Sequence, residues 1–162
     1  EAAGPLGSEG RGALAMGGAT THLLGVGLRW QATSRLELAA AATAGLTRVA
    51  GSEAIDGWSP LVSTAWSLDA VAADMLVAGD SLGLRLGQPL RVERAKARLR
   101  LDGDDAVDLV PSGRELDLEL AWRAGWSADT DLALSLLLAY DAGHASGQGL
   151  DGGFGLRLRR QF

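Results

Sequence analysis

Apolar and charged residues alternate along much of this chain, most clearly in RELDLELAWRAGW, residues 114–126. A helix of 3.6 residues per turn would scatter these leucines around its axis, whereas a strand places every second side chain on one face. The stretch therefore predicts a β-strand with Leu116, Leu118, Leu120, Trp122 and Trp126 on one face and mostly charged residues on the other. It is about twice as long as an average strand.

The same period of two recurs through the chain and predicts further strands over 21–31, 35–48, 60–70, 82–92, 95–101, 131–141 and 152–162. Residues 71–80 have no clean period and predict a short helix or a turn. Residues 12–18 and 106–110 are candidates for additional strands. The result is about eight to ten strands, several joined by short polar turns, which is the pattern of an antiparallel meander.

The aromatic residues at strand ends constrain how many strands lie between them. If Trp30, Trp126 and Phe162 lie on one side, their strands run in the same direction, and an odd number of strands must separate the first two. The clear runs between residues 31 and 114 give an even number. We therefore expect residues 106–110 to supply the missing crossing.

Composition narrows the class of protein. The 162 residues, 47% of them hydrophobic, predict one domain over 1–162, with residues 1–11 as a linker or disordered segment. A start at Glu1 without a signal-peptide pattern predicts a processed product or an excised piece. The net charge of −5 without a basic stripe argues against a nucleic-acid partner. No apolar run approaches the roughly 20 residues of a membrane helix.

The two-faced strands have two interpretations. In a soluble sandwich the leucine face would be the core and the charged face the outer surface. In a transmembrane barrel the leucine face would contact lipid and the charges would line the lumen, where acids and bases of neighbouring strands can pair. The charged positions on this face are Arg29, Glu37, Asp69, Arg85, Arg91, Arg98, Arg100, Glu115, Asp117, Glu119, Arg123, Arg157 and Arg159.

Three features favour the barrel. The clear strands are close to the roughly 9–11 residues that cross a tilted bilayer span. The chain ends in Phe on an alternating strand, which resembles the terminal assembly signal of outer-membrane barrels. Aromatic residues form a candidate interfacial girdle and terminal signal at Trp30, Trp126, Phe154 and Phe162. The sequence thus predicts an all-β, antiparallel, up-and-down transmembrane β-barrel.

Candidate chemistry is sparse. The absence of cysteine excludes a disulfide scaffold and Cys-ligated zinc. The two histidines, His22 and His144, are not at ligand spacing from any carboxylate, and we expect His144 in a surface loop. Glu115, Asp117 and Glu119 recur about every 7 Å along one strand face, which is too regular to single out an acid–base pair. We therefore predict no catalytic, cofactor or metal residues.

Three segments, DSLGLRLGQPLRVE (80–93), PSGRELDLELAW (111–122) and GGFGLRLRRQF (152–162), resemble the C-terminal barrel region of alphaproteobacterial S8-family, subtilisin-like serine peptidases of the autotransporter type. They cover roughly a quarter of the chain. The resemblance implies a barrel of about twelve strands, with the first few lying before Glu1 or cut away, and a protease activity in a separate passenger domain. No subtilisin-type nucleophile, Asp or His motif occurs in this chain.

Taken together, these observations predict an outer-membrane anchor and translocator of a Gram-negative bacterium that exports or displays an attached passenger. The passenger would be a subtilisin-like protease, and this chain itself would not be an enzyme. The expected partners are outer-membrane lipid, the barrel assembly machinery and the covalently linked passenger. Two alternatives remain open, a soluble β-sandwich binding module and a small standalone structural barrel of the outer membrane.

Overall fold

A computed structural model describes residues 18–50, 55–99, 106–127 and 129–160. Almost all regular structure in these residues is antiparallel β, with one short 3₁₀ turn, Ala142–His144. The strands are β1 (Ala19–Gln31), β2 (Leu36–Val49), β3 (Ile55–Trp58), β4 (Leu61–Ala73), β5 (Ser81–Arg94), β6 (Lys96–Leu99), β7 (Ala106–Asp108), β8 (Leu116–Ser127), β9 (Thr130–Tyr140) and β10 (Leu150–Arg160). No helix in the described ranges is long and apolar enough to cross a membrane.

Seven strands form one sheet in the order β1-β2-β4-β5-β8-β9-β10, and β3, β6 and β7 form a separate three-stranded sheet. The seven long strands coincide with the alternating runs, so the period-two prediction is confirmed for each of them. Within the segment 71–80, residues 74–80 form a turn, one of the two predicted outcomes, whereas residues 71–73 continue β4 and were wrongly excluded from a strand. Within the described ranges, β1 and β10 stand at the two ends of the strand order, and the sheet is not closed.

The predicted strands over 95–101 and 106–110 were wrong as crossings of the main sheet. They correspond to the four-residue β6 and the three-residue β7, which pair with each other outside that sheet. Three long strands, β2, β4 and β5, therefore separate β1 from β8, and this odd number lets β1 and β8 run in the same direction. The candidate strand over 12–18 lies outside the described residues, apart from Gly18, which precedes β1.

The register of β5, β8, β9 and β10 keeps like residues together on each face. On the apolar face, Leu84 lies opposite Leu120, which in turn lies opposite Leu136, and Phe154 follows on β10. On the other face, Arg85 lies opposite Glu119. Cross-strand neighbours of this kind are the unit of sheet stabilisation, and a slip of one residue would move every side chain to the wrong face.

The chain divides into two compact units. The described part of the first comprises residues 18–25, 43–50, 55–64, 90–99 and 106–111. In this unit Arg91 is almost completely buried; its guanidinium donates to a carboxylate oxygen of Glu93 at 2.6 Å and to the carbonyl oxygen of Pro111 at 2.9 Å. Thr64 donates its hydroxyl proton to the same carboxylate group at 2.8 Å. The buried charge is thus paired and hydrogen-bonded, as burial requires.

The second unit comprises residues 26–42, 65–89 and 112–160 of the described chain. Its first turn, residues 32–35, is closed by the hydroxyl of Thr33, which accepts hydrogen bonds from the backbone amides of Arg35 and Leu36. Thr at such a position competes for backbone groups and ends the strand. Arg35 also pairs with Asp74 at 3.6 Å, which joins this turn to the next one.

Burial in the described residues is inverted relative to an ordinary soluble domain. Four hydrophobic residues are buried, namely Leu61, Ala95, Ala97 and Ala124, against eight polar or charged ones. Large apolar side chains are exposed instead, with Leu28 at 71%, Trp126 at 77% and Phe154 at 72%. Soluble monomers rarely expose a continuous apolar surface beyond a few hundred Å², so this face requires an explanation.

The loop after β9 is fastened to the segment before β8. His144 is buried, and its Nδ1 atom accepts the backbone amide proton of Glu115 at 2.9 Å, while the Glu115 carboxylate accepts the amide of Gly143 at 2.8 Å. Gly113 donates its amide to the His144 carbonyl oxygen at 2.7 Å. His144 lies in a loop, as predicted, but its imidazole is a buried acceptor that holds the loop in place.

Gly113 tests this fastening, because a Cβ atom there would lie 2.5 Å from the backbone nitrogen of Ser146. We predict that Gly113→Ala lowers the free energy of unfolding by roughly 1–3 kcal/mol, the usual cost of overpacking, measured by urea unfolding. Gly153→Ala is the control, because a Cβ at Gly153 meets nothing within 4 Å. Equal effects of the two substitutions would contradict this account of the loop.

Candidate functional site

The charged face of the sheet in the second unit is the best candidate site. Arg29 on β1 pairs with Glu37 on β2 at 3.4 Å, and Arg85 on β5 pairs with Asp69 on β4 at 3.6 Å. Acids and bases of neighbouring strands thus form ion pairs at these two places on the face. All four side chains remain partly or fully accessible to solvent, so each pair contributes only modestly to stability.

A hollow of about 410 Å³ lies on the same face. Its polar lining includes Ser67, Arg85, Gln88, Asp117 and Glu119. One carboxylate oxygen of Asp117, Oδ1, is buried without a hydrogen-bond partner. A buried acceptor of this kind is costly unless water or another donor reaches it, so we expect the hollow to be hydrated.

Sequence reasoning missed Gln88. Its side chain is fully buried and accepts a hydrogen bond from Arg114. The sequence does contain a signal for this residue. Gln88 is a polar residue at an apolar position of the β5 alternation, directly before Pro89, where a strand commonly becomes irregular.

A second hollow, of about 310 Å³, is lined by Arg123, Asp131, Ala133, Arg157 and Arg159. In the register of β8, β9 and β10, Ala133 lies between Arg123 and Arg157, and Asp131 lies between Gly125 and Arg159. The sequence placed all three arginines on the charged face, and in the structure all three line this hollow.

The remaining predicted charges lie elsewhere. Arg91 belongs to the buried cluster of the first unit, and Arg98 lies on β6, in the three-stranded sheet rather than the main one. Arg98 therefore lies in a different sheet from Arg85, and alternation alone does not show which sheet a strand joins. Glu115 precedes β8 and fastens the loop after β9. Arg100 lies outside the described residues.

The aromatic residues predicted to form a girdle differ in where they lie on their strands. Trp30 and Trp126 are exposed at the ends of β1 and β8. Phe154 is also exposed, and it lies in the middle of β10, opposite Leu136. Phe162 lies outside the described residues.

The turn of residues 74–80 is organised by one carboxylate that the sequence did not reveal. Asp80 is almost completely buried, and it accepts hydrogen bonds from the indole Nε1 of Trp122 at 2.8 Å and from the amide of Met75 at 2.7 Å. The amides of Leu76 and Val77 donate to it as well. The indole hydrogen bond and then these backbone amides hold the pKa of Asp80 below its ordinary value of 3.8, against an opposing effect of burial.

No group of three or more His, Asp or Glu side chains in the described ranges is placed to hold a metal ion. His22 is exposed on β1, and His144 is occupied as a loop acceptor. Comparison with protein-family models, with curated proteins and with solved structures finds no match to this chain.

The Asp80 turn predicts a pH dependence with a definite sign. Because its folded-state pKa is depressed, ionised Asp80 stabilises the turn above the unfolded-state value near 3.8, and this contribution is lost as the pH falls through the folded-state pKa. The indole N–H resonance of Trp122, followed by NMR in detergent, should therefore titrate with a midpoint below 3.8.

Asp80→Asn should abolish that titration, whereas Asp151→Asn should leave it unchanged, because Asp151 lies on β10 outside the turn. A midpoint at or above 3.8 would contradict the hydrogen-bonded arrangement.

Proposed function

We propose that this chain forms the membrane-spanning wall of an outer-membrane β-barrel. In this barrel the leucine face contacts lipid and the charged face lines a hydrated lumen. The inverted burial carries the proposal: the large apolar side chains are exposed while Ser67, Gln88 and Asp80 are buried. In lipid an exposed apolar face is favourable, and a closed strand ladder provides hydrogen-bond partners for the backbone N–H and C=O groups.

A soluble sandwich fits this arrangement less well. It would bury the leucine face against a second sheet, yet Leu84, Leu118 and Leu136 retain 45%, 37% and 37% exposure in the described residues. Phe154, at the centre of β10, is exposed as well. A sandwich therefore needs a covering layer beyond the described part of the chain.

The connections between strands support a barrel of the bacterial type. Those after β1, β4 and β8 are short, at residues 32–35, 74–80 and 128–129, whereas those after β2, β5 and β9 are longer, at 50–60, 95–115 and 141–149. Outer-membrane barrels have short periplasmic turns and longer extracellular loops. In the proposed barrel, the turns at Trp30 and Trp126 would therefore lie at the periplasmic rim.

Closure requires strands in addition to those of the main sheet. Bacterial barrels of a single chain have an even number of strands, whereas the described sheet has seven. The proposed barrel is therefore completed by at least one further strand between β10 and β1. A barrel of about twelve strands, as the autotransporter resemblance implies, satisfies this requirement.

Within this barrel we assign the chain the role of anchor and translocator for an attached passenger, a subtilisin-like protease. The resemblance of residues 80–93, 111–122 and 152–162 to the autotransporter barrel supports the assignment. The charged, hydrated face is suited to a polypeptide in transit. Its charged side chains can exchange ion-pair partners with a passing segment, and its hollows leave space for that segment's side chains. Catalysis would belong to the passenger.

Heat-modifiable gel mobility tests the barrel. The natural protein in detergent should migrate differently before and after boiling, because a closed barrel resists the detergent until it is heated. A protein that is soluble without detergent and shows no shift would contradict the proposal and favour a sandwich binding module. A shift in a protein that carries no passenger would instead favour a standalone structural barrel over a translocator.

The facing assignment predicts that substitutions at two adjacent residues of β8 differ strongly in their effect on the free energy of unfolding. Leu118→Arg places a guanidinium on the lipid face opposite Leu86 and Leu138, and it should cost on the order of 2–4 kcal/mol in a bilayer. Glu119→Gln, on the charged face opposite Arg85, should have a mild effect. The measurement is unfolding in liposomes, and a reversed order of the two effects would show that the facing is wrong.

A further inference from the structure

Three arginines at one end of the charged face stand apart from the other cations there. We call Arg123, Arg157 and Arg159 the arginine trio. Arg123 and Arg157 flank Ala133 on neighbouring strands, so their Cα atoms are about 10 Å apart, twice the strand spacing. Arg159 follows Arg157 two residues along the same face, about 7 Å away. The hollow of about 310 Å³ lies among them.

The trio differs from the other arginines of the face in its partners. Arg29 and Arg85 each have a carboxylate within 4.0 Å, whereas no described carboxylate lies within that distance of a trio guanidinium. Asp131 lies directly opposite Arg159 in the register but forms no such pair. Three guanidinium groups and one carboxylate therefore give the hollow a formal excess of two positive charges.

The floor of the hollow leaves room for a ligand. Ala133 contributes only a methyl group between Arg123 and Arg157. The long arginine side chains that surround it end in planar groups with several N–H donors, which match the oxygens of a phosphate. Like charges gathered in this way favour an anion between them.

We propose that the arginine trio is a binding site for a phosphate-type oxyanion. The ligand would lie over Ala133, accept hydrogen bonds from Arg123 and Arg157 and neutralise Arg159. A phosphate group with a charge near −2 matches the excess charge of the hollow. The inference goes beyond the proposed function, because it requires only that this face be hydrated, whatever passes along it.

The test is equilibrium dialysis of radiolabelled inorganic phosphate against the purified natural protein in a phosphate-free maltoside detergent at fixed ionic strength. We expect saturable binding by the unmodified protein. Arg157→Gln should raise the dissociation constant about tenfold or more, as expected for the loss of hydrogen bonds to a charged group. Ala133→Leu should weaken binding similarly, because it fills the floor without changing the charge.

Arg48→Gln is the matched control, because Arg48 is an exposed residue of β2 outside the hollow and the substitution removes the same charge. It should leave the dissociation constant within twofold. Equal weakening by Arg48→Gln and Arg157→Gln would overturn the proposal in favour of a general electrostatic field. Absence of saturable binding would overturn it as well.

Phosphatidylglycerol added to the same dialysis distinguishes two sources of the anion. Competition with inorganic phosphate would identify a lipid headgroup as a ligand of the site, and lack of competition would identify a free oxyanion. Gel mobility is measured in parallel on each variant. If the unmodified protein shows the heat-dependent shift but does not bind phosphate, the anion site is refuted and the barrel is not. If the unmodified protein shows no shift, the barrel proposal is refuted, and phosphate binding still decides the site.

Discussion

An apolar face spread over a single sheet is the constraint on which the rest of this structure depends. Burying apolar surface stabilises a protein by roughly 25 cal/mol per Å², and the described chain leaves this gain largely unused on its leucine face. A surface that carries Leu28, Leu156 and Phe154 at 63–72% exposure requires another apolar phase or a covering layer. Lipid supplies such a phase without any change in the strands, and this is why we prefer the membrane barrel to the soluble sandwich.

The same constraint explains the opposite face. If the apolar residues face outward, the side chains on the opposite, inward face must be polar, small or paired. Arg85 accordingly pairs with Asp69, and Gln88 bonds to Arg114. Where no partner is available, as at Oδ1 of Asp117, the neighbouring hollow leaves space for water. The arginine trio extends this logic to an anion.

The turns show how local chemistry fixes the ends of the strands. The Asp80 carboxylate accepts hydrogen bonds from three backbone amides and one indole, and the turn that it organises carries the exposed apolar residues Met75, Leu76 and Val77. In a membrane this turn and the exposed rings of Trp30 and Trp126 would lie at the interface, where amphipathic aromatic residues are stable.

The sequence predicted the long strands well, because alternation over ten or more residues has one stable solution. It failed for β6 and β7, since a short alternating run is the same in a small outer sheet as in a crossing strand. It also could not reveal the Asp80–Trp122 and Glu115–His144 contacts. These join residues that are 42 and 29 positions apart, and only the register of the sheet brings them together.

The most direct test of the account is the accessibility of spin labels at four consecutive positions of β8. The chain contains no cysteine, so single cysteines at Leu118, Glu119, Leu120 and Ala121 can be labelled cleanly in protein reconstituted into liposomes. Labels at 118 and 120 should be quenched by lipid-soluble oxygen, and labels at 119 and 121 by a water-soluble nickel chelate. Uniform accessibility, or the reverse alternation, would contradict the assignment of the leucine face to lipid.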